Sequence, residues 1–171
     1  MKLLWLDLET TGLEPMRDSI LEVAAGLADF ARPFHCPCLI ARTLHFDAQG
    51  VVVDPRVAQM HFRSGLWDAC LESKLRLPQV EYDLLQLAGD NDAIVLAGSS
   101  VHFDHGFLNV YMPRLASLLS HRHYDVSAVK LFCQSLGMKP LPKGEAHRAM
   151  ADVEESVAHA RACAEWLGLR C

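Results

Sequence analysis

Apolar and polar positions along the chain predict an alternation of strands and helices. Short apolar runs at residues 3–8, 19–29 and 35–43 predict three strands near the start of the chain. The run AIVLA at residues 93–97 predicts a buried strand, and residues 124–126 predict a short fifth one. Strands mixed with helices in this order predict an α/β layered fold with a mixed central sheet.

Helical spacing of apolar residues predicts the elements that lie between and after these strands. The helices are predicted to begin at Asp54 and Pro55 and to cover residues 78–88, 103–112, 129–136 and 149–167. Pro55 suits the first position of a helix. Pro113 and Gly137 are predicted to end two of the helices.

Composition and charge limit the possible functions. The 171 residues are 51% hydrophobic, which is enough for one compact domain, and no linker divides them. No run approaches the ~20 apolar residues of a membrane helix. The N-terminal stretch MKLLWLDLE carries acids within its apolar run, unlike a secretory signal, so we predict a cytoplasmic protein. The net charge of −5 argues against a long basic track for nucleic acid, but it allows a small pocket in which metal ions supply positive charge.

Two acids, Asp7 and Glu9, lie within the first apolar run. Residues i and i+2 of a strand point to the same face, so both carboxylates project from one side of the predicted strand. Their repulsion in a partly buried site is relieved by a shared proton or by a bound cation. Mg²⁺ and Mn²⁺ prefer oxygen ligands, so the pair could be half of a metal site. The alternative is two acids on an edge strand that face solvent.

Three further residues could join this pair. Asp104 follows the strand predicted at residues 93–97, where it could also be a helix N-cap. Asp152 lies on the predicted C-terminal helix and could be a solvated acid, and His147 could be a polar residue of its first turn. Four acids and a histidine are together typical of sites in which two cations ~4 Å apart cleave phosphodiesters. A nearby imidazole can take the proton from the attacking water.

Three motifs in the right order resemble those of the DEDD 3′–5′ exonucleases. Residues 7–12, DLETTG, resemble the first motif, Asp104 the second, and His147 followed by Asp152 the third in its histidine-containing form. The resemblance implies one exonuclease domain over residues 1–171 with a ribonuclease H-like fold, a central mixed five-stranded sheet flanked by helices. It also implies two divalent ions, Mg²⁺ or Mn²⁺, with His147 as general base. The implied metal ligands are Asp7, Glu9, Asp104 and Asp152.

Further segments narrow the resemblance to the oligoribonuclease family. They are HFRSGL at residues 61–66, YMP at 111–113, RHYDVS at 122–127, and KG at 143–144. The implied activity is metal-dependent 3′–5′ hydrolysis of very short single-stranded RNA, typically dinucleotides, to nucleoside 5′-monophosphates. A short substrate would also explain the acidic net charge, because a pocket needs no basic track.

The same resemblance assigns the substrate contacts. Leu13 would separate the two bases, or it could be an ordinary core leucine after a turn. Ser100 and, from the partner subunit, Arg122 and Ser127 would cap the 5′ phosphate, because arginine pairs strongly and directionally with phosphate. Ser127 could instead be a helix cap. His61 would contact the substrate near its 3′ end, or it could be a surface helix histidine. If Arg122 acts across an interface, the enzyme is a homodimer.

Three positions depart from the family pattern. Arg56 stands where the family usually has a tryptophan, and His121 stands where it has the partner-subunit tyrosine before the capping arginine. A histidine can still donate a hydrogen bond, and an arginine can stack on a base. Thr10 replaces a frequent methionine and favours the alternative of a broader exonuclease that acts on single-stranded DNA or longer RNA. A third hypothesis, a module that binds nucleotides without cutting them, would require a lost catalytic residue, and all five are present.

Overall fold

The computed structural model describes residues 1–47, 51, 53–91 and 93–169, and the statements below concern those residues. The strands are β1 (Lys2–Thr10), β2 (Ile20–Asp29), β3 (Leu39–Thr43), β4 (Ile94–Gly98) and β5 (Leu119–Asp125). The helices are α1 (Pro55–Arg63), α2 (Leu66–Glu72), α3 (Leu77–Ala88), α4 (Val101–Tyr111), α5 (Pro113–Ala116), α6 (Val126–Ser135) and α7 (Ala149–Trp166). In this part of the chain, no helix combines the length and the apolar character needed to cross a membrane.

The strands form a mixed sheet in the order β3-β2-β1-β4-β5. β1 pairs antiparallel with β2 and parallel with β4, so it lies at the centre of the sheet. β3 pairs antiparallel with β2, and β5 pairs parallel with β4. The predicted mixed five-stranded sheet with flanking helices is therefore confirmed.

The side chains of β1 alternate between two hydrophobic cores, one on each face of the sheet. Leu4 and Leu6 belong to the core that α3 and α4 cover. Trp5 belongs to the core under α7. Because successive strand residues point to opposite faces, Asp7 and Glu9 continue the row of Trp5 toward the α7 side. The pleat of one strand thus directs apolar side chains into both cores and two acids toward a single helix.

Of two predicted element boundaries near prolines, one is wrong and one is confirmed. The third strand was predicted from residue 35, but β3 begins only at Leu39. Pro37 lies in the excluded part, and it has no backbone N–H to donate to a neighbouring strand. Pro113 follows the end of α4, as predicted, but it also begins the short helix α5. Its fixed φ suits the first position of a helix.

The fifth strand is longer than the sequence predicts. β5 begins at Leu119, although apolar residues predict a strand only at 124–126. Its middle residues are polar and exposed, because β5 is at the edge of the sheet, and they therefore give no apolar signal. Val126, predicted as a strand end, is instead the first residue of α6. Asp125 begins that helix by accepting a hydrogen bond from the backbone N–H of Ser127 (2.8 Å).

Candidate active site

Three carboxylates converge where β1 meets the start of α7. Asp7 and Glu9 come from β1, and Asp152 lies in the first turn of α7. One oxygen of each carboxylate lies within 4.8 Å of the others. The two strand acids share a face, and α7 packs across that face, so the fold itself brings the three acids together. β1 is the central strand, so the alternative of acids on an edge strand is wrong.

A fourth acid, Asp104, lies in the first turn of α4. Asp104 is buried, and its Oδ1 accepts a hydrogen bond from the backbone N–H of Leu8 (3.1 Å). Ser100 is the N-cap residue of α4, so the alternative that Asp104 caps this helix is wrong. Asp104 does not belong to the group of three that lies within 4.8 Å. The acidic centre is the name used below for the four acids Asp7, Glu9, Asp104 and Asp152.

Burial and mutual repulsion favour protons on the acidic centre when no cation is bound. Burial, followed by the charges of Asp104 and Asp152, raises the pKa of Asp7 to about 9. Burial also raises the pKa of Asp104 to about 8. Burial, followed by the charge of Asp7, raises the pKa of Glu9. A divalent cation stabilises such a cluster in its ionised form, and carboxylate oxygens are its preferred ligands, so these residues fit a metal site.

His147 lies in the segment that leads into α7. It precedes Ala149, the first residue of that helix, by two positions, so it is not a first-turn residue. Its φ of 45° is in the left-handed region that residues with a side chain rarely adopt. His147 lines the same cleft as Asp7, Glu9 and Asp152. An imidazole in this position can accept a proton from a water molecule held at the acids.

The cleft beside the acidic centre has a volume of about 300 Å³ and a polar lining. The other polar side chains that line it are Ser99, Ser100, Ser127, Lys130, Lys143, Glu155 and Ser156. The two lysines provide positive charge in a protein whose net charge is −5. The cleft therefore offers carboxylates for cations at one place and hydroxyl and ammonium donors for an anion at another.

Two serines predicted to bind phosphate meet at the starts of α4 and α6. The hydroxyl oxygens of Ser100 and Ser127 are 3.3 Å apart within one chain. The carboxylate of Asp125 accepts hydrogen bonds from the backbone N–H groups of Ser100 (3.1 Å) and Ser127 (2.8 Å). Asp125 is therefore the cap of α6, and the alternative that Ser127 caps the helix is wrong. Ser127 also reaches Ser100 without a partner subunit, in contrast to the prediction.

Leu13 is exposed in the turn that follows β1. Its side chain is 70% exposed, so the alternative of an ordinary core leucine is wrong. The turn itself is held by a hydrogen bond from the Thr10 hydroxyl to the carbonyl of Gly12 (2.6 Å). A large apolar side chain in water, four residues after Glu9, is available to contact an apolar surface of a ligand such as a base.

His61 is fully buried beneath the end of β1. Its Nε2 is 2.8 Å from the carbonyl oxygen of Thr10, and its Nδ1 is 3.8 Å from Oε2 of Glu9. The edge of its ring packs against Trp67, with ring centroids 5.4 Å apart. The alternative of a surface helix histidine is therefore wrong. The imidazole lies behind Glu9, and His61 does not line the cleft.

Three other residues discussed from the sequence are exposed and do not line the cleft. His121 and Arg122 lie on β5, at the edge of the sheet. Arg56 lies in the first turn of α1, where its guanidinium is 3.5 Å from the carboxylate of Asp54. Within one chain, none of these three side chains therefore contributes to the lining of the cleft.

Sequence reasoning missed several polar residues near the site. Lys130 follows Ser127 by three positions on α6, a spacing that puts both on one helix face and could have identified it. Glu22 lies opposite Glu9 in the pairing of β1 with β2 and forms an ion pair with Arg148. Arg148 directly follows His147, but its partner is 126 residues away. Such a contact depends on strand register, for which the sequence contains no direct signal.

Known proteins are similar to this chain along most of its length. The model of the exonuclease family matches residues 4–159. The chain is 35% identical to an oligoribonuclease of Corynebacterium efficiens, over 91% of this chain and 74% of that protein. It is 32% identical to the mitochondrial oligoribonuclease of Homo sapiens, over 91% of this chain and 69% of that protein.

Structural similarity extends to a more distant protein. A zinc-bound complex of E. coli ExoI with single-stranded DNA has a TM-score of 0.72 against this structure at 17% sequence identity. The match covers 96% of this chain but only 40% of that chain, so the present chain spans about two fifths of its length. The similarity confirms the expected ribonuclease H-like fold.

Proposed function

This chain belongs to the exonuclease family, its relatives there are oligoribonucleases, and from this premise we propose that it hydrolyses very short RNA oligonucleotides. It is a 3′–5′ exoribonuclease that depends on divalent metal ions. In the proposed reaction, water cleaves a phosphodiester at the 3′ end of the RNA and releases a nucleoside 5′-monophosphate. Dinucleotides are the proposed preferred substrates. A cytoplasmic location stays a prediction from the sequence.

The observation that carries the proposal is the convergence of Asp7, Glu9 and Asp152 beside His147. Asp7 and Glu9 lie near the start of the chain and His147 and Asp152 near its end, yet one oxygen from each of the three carboxylates lies within 4.8 Å of the others. A group of ionised carboxylates this close is unstable without cations. The buried Asp104 supplies a further oxygen donor next to β1. Cations held by acids, with an adjacent imidazole, match the requirements of metal-assisted phosphodiester hydrolysis.

The proposal assigns two divalent cations, Mg²⁺ or Mn²⁺, to the acidic centre. When bound, such cations provide a nucleophilic water at neutral pH and stabilise the leaving oxygen. The acidic centre contributes oxygen ligands, which suit Mg²⁺ and Mn²⁺. Among the described residues, no cysteine and no histidine other than His147 lines the cleft, so softer ligands that would favour other metals are few. His147 takes the proton from the attacking water, because its imidazole lines the same cleft as the carboxylates that would hold the cations.

The remaining cleft residues recognise the substrate in this proposal. Ser100 and Ser127 donate hydroxyl hydrogen bonds to the 5′ phosphate, and their oxygens are already 3.3 Å apart. Leu13 packs between the two bases, which is consistent with its 70% exposure in the unliganded chain. His61 acts near the 3′ end. Because His61 is fully buried behind Glu9, it would act on the substrate indirectly, through its contacts with Glu9 and with the carbonyl of Thr10.

A homodimer completes the site in this proposal. The β5–α6 face, as used below, consists of His121, Arg122, Leu131, Phe132 and Leu136. Leu131 and Phe132 are 68% and 57% exposed on α6, and exposed apolar groups of this size are typical of association surfaces. Arg122 does not line the cleft of its own chain, which supports a contact with the 5′ phosphate that is bound in a second copy. Arginine is well suited to that contact, because its planar guanidinium pairs with phosphate through two hydrogen bonds.

A substrate-length series tests the proposed function. Purified protein is incubated with 5′-labelled RNAs from two to ten nucleotides long, in Mn²⁺, in Mg²⁺ and with chelator, and the products are separated by chromatography. We expect the highest kcat/KM for the dinucleotide, nucleoside 5′-monophosphates as products, and no cleavage with chelator. Single-stranded DNA of the same lengths provides the matched control.

The outcomes separate the proposal from its alternatives. Equal rates on long and short RNA would remove the dinucleotide preference and leave a general exoribonuclease. Faster cleavage of DNA would favour the broader exonuclease, and tight binding without release of mononucleotide would favour a binding module. Undiminished cleavage in metal-free buffer would contradict the assignment of the acidic centre.

A further inference from the structure

Glu22 is a buried carboxylate beside the acidic centre that the proposed reaction does not use. It is 2% exposed and lies opposite Glu9 in the pairing of β1 with β2. Two nitrogens of Arg148 donate to it: Nη2 donates to Oε1 (2.6 Å), and Nε donates to both Oε2 (3.1 Å) and Oε1 (3.2 Å). The backbone N–H of Ala149 donates to Oε2 (2.9 Å), and the hydroxyl of Thr43 donates to Oε1 (2.8 Å). Four donors thus hold one side chain.

The electrostatics of this contact agree with a charged pair. Burial alone would favour the protonated carboxyl, but hydrogen bonds from Arg148, Thr43 and Ala149 outweigh it and lower the pKa of Glu22. The hydrogen bonds that Arg148 donates to Glu22 raise the pKa of Arg148. A charged Glu22 without Arg148 would add a further negative charge next to Glu9. The charge of Glu22 still helps to raise the pKa of Asp7 and of Glu9, and Arg148 places a positive charge directly beside that carboxylate.

The segment held by Glu22 carries the general base. His147 directly precedes Arg148, and its φ of 45° is a strained conformation for a residue with a side chain. Such a conformation persists only when neighbouring contacts determine it. Arg148 and Ala149 supply those contacts on the C-terminal side of His147.

A second set of bonds holds the N-terminal side of the same segment to α7. The backbone N–H of Gly144 donates to Oε2 of Glu155 (2.5 Å). Nε2 of His159 lies 2.9 Å from the carbonyl oxygen of Pro142, which fixes the N–H on that nitrogen. His147 therefore lies between two anchored points, one on α7 and one on β2.

We infer that the Glu22–Arg148 ion pair is a positioning device that fixes the backbone at His147 and thereby aims its imidazole at the acidic centre. This inference rests on the proposed function, because it assigns a role to the pair through His147. The pair also fixes the first N–H of α7, the helix that carries Asp152 one turn later. Neither residue of the pair lines the cleft, so both are positioning residues.

The test compares Arg148→Ala with the matched control Arg42→Ala. Arg42 forms a similar ion pair with Asp83 (2.6 Å), its side chain is about as exposed as that of Arg148, and it lies outside the cleft. We expect Arg148→Ala to lower kcat on dinucleotides by about 10- to 100-fold with KM unchanged, because small misplacement of a catalytic group has effects of this size. Arg42→Ala is expected to keep the wild-type kcat and KM.

Three further measurements distinguish positioning from general stability. Guanidinium ion at millimolar concentration should restore part of the lost kcat in Arg148→Ala, because it can occupy the vacated space beside Glu22. Hydrogen–deuterium exchange in metal-free protein should increase across residues 144–149 in Arg148→Ala and not in Arg42→Ala. Arg148→Lys, which keeps the charge but loses the paired geometry, should have an intermediate kcat.

The outcomes also separate this inference from the proposed function. If the wild-type chain cleaves no RNA, the proposed function fails, but the exchange measurement still reports whether the pair fixes the segment. If the wild type is active and Arg148→Ala retains its kcat, the inference is wrong and the proposed function stands. An equal loss of kcat in Arg42→Ala, with lower melting temperatures in both variants, would reduce the effect to stability and overturn the inference.

Discussion

The acidic centre and the β5–α6 face differ in exposure and in how firmly neighbouring groups hold their side chains, although the proposed reaction needs both. The acidic centre lies between β1, α4 and α7, and neighbouring groups fix its side chains, as the N–H of Leu8 fixes Asp104. The β5–α6 face is open, with Arg122 on an edge strand and Leu131 on the outer side of α6. Under the proposed function, the chemistry is thus built within one chain, whereas recognition of the 5′ end also needs Arg122 from a second copy.

This difference predicts that the two regions can be damaged separately. Changes in the acidic centre should abolish cleavage of every substrate, because each substrate passes the same carboxylates. Changes in the β5–α6 face should alter which lengths of RNA are preferred and leave the cleavage step intact.

Replacing a buried acid should have the largest effect. Asp104→Asn keeps the shape of the side chain but weakens a metal ligand, and metal-based stabilisation of the transition state contributes several kcal/mol. We expect kcat to fall by about 10³-fold on RNA of every length. The melting temperature of the metal-free chain should rise at neutral pH, because the pKa of about 8 obliges the folded chain to take up a proton at Asp104, whereas Asn needs none.

The control for this variant is Asp68→Asn, which removes an exposed acid from the first turn of α2. Its kcat should equal that of the wild type in steady-state assays with Mn²⁺. Near-wild-type activity of Asp104→Asn in the same assay would contradict the site assignment.

The metal-free acidic centre should make stability depend on pH in an unusual direction. Asp7 and Asp104 have pKa values raised to about 9 and about 8 in the folded chain, against 3.8 as the ordinary value. Above pH ~4, the folded chain keeps protons that the unfolded chain has lost, so stability falls as pH rises through this window. We expect the melting temperature in chelator to be at least ~5 °C lower at pH 8.5 than at pH 5.5.

Cations and a single substitution should both remove this dependence. Mn²⁺ replaces the protons and binds the folded chain more strongly at high pH, so it should raise the melting temperature more at pH 8.5 than at pH 5.5. Asp7→Asn should flatten the pH dependence in chelator. A melting temperature that rises with pH in metal-free wild-type protein would show that the centre is not protonated as described.

The sequence was sufficient to find the acidic centre but not its surroundings. Period-two alternation on β1 put Asp7 and Glu9 on one face, and the three motifs supplied the remaining acids in order. Their convergence follows from topology, because β1 is central and α7 crosses the face to which both acids point. Local pattern and global fold agree at these positions.

The sequence failed where the structure depends on long-range contacts or on exposed polar segments. The first half of β5 is polar, so its strand character comes from pairing with β4 and leaves no apolar signal. The burial of His61 depends on how α1 packs under Thr10, which helical spacing does not reveal. The contact between Glu22 and Arg148 depends on the register of β1 and β2 and on the end of a loop 126 residues away.

Removing the arginine of the β5–α6 face should have an intermediate effect that depends on substrate length. Hydrogen bonds to charged groups contribute about 1.5–3 kcal/mol, so Arg122→Ala should lower kcat/KM on 5′-phosphorylated dinucleotides by about 10- to 100-fold. Cleavage of longer RNA should stay within about threefold of the wild type. Arg114→Ala, which removes an exposed arginine on α5, is the matched control.

Mixing two damaged proteins tests whether Arg122 acts across the dimer. A heterodimer of Arg122→Ala and Asp104→Asn contains one intact site, formed by the acidic centre of the first chain and the arginine of the second. An equal mixture that exchanges subunits should recover about a quarter of the wild-type dinucleotide activity, because half of the dimers are mixed and each has one working site. If Arg122 acts within its own chain, mixing should recover no activity.

Restoring aromatic side chains should have the smallest effect. His121→Tyr places an aromatic group beside Arg122 on the β5–α6 face, and Arg56→Trp places one at the start of α1. Stacking of aromatic groups contributes about 0.5–1.5 kcal/mol, so each variant should raise kcat/KM on dinucleotides by about 2- to 10-fold. RNA of seven nucleotides should show no gain, because the added surface acts only where a closed site holds both bases.

Arg63→Trp on the same helix α1 controls for nonspecific binding of RNA by an added aromatic ring. An equal gain in kcat/KM in that control, or on long RNA, would mean that the aromatic positions do not contribute to length preference. The β5–α6 face would then select substrates through Arg122 alone.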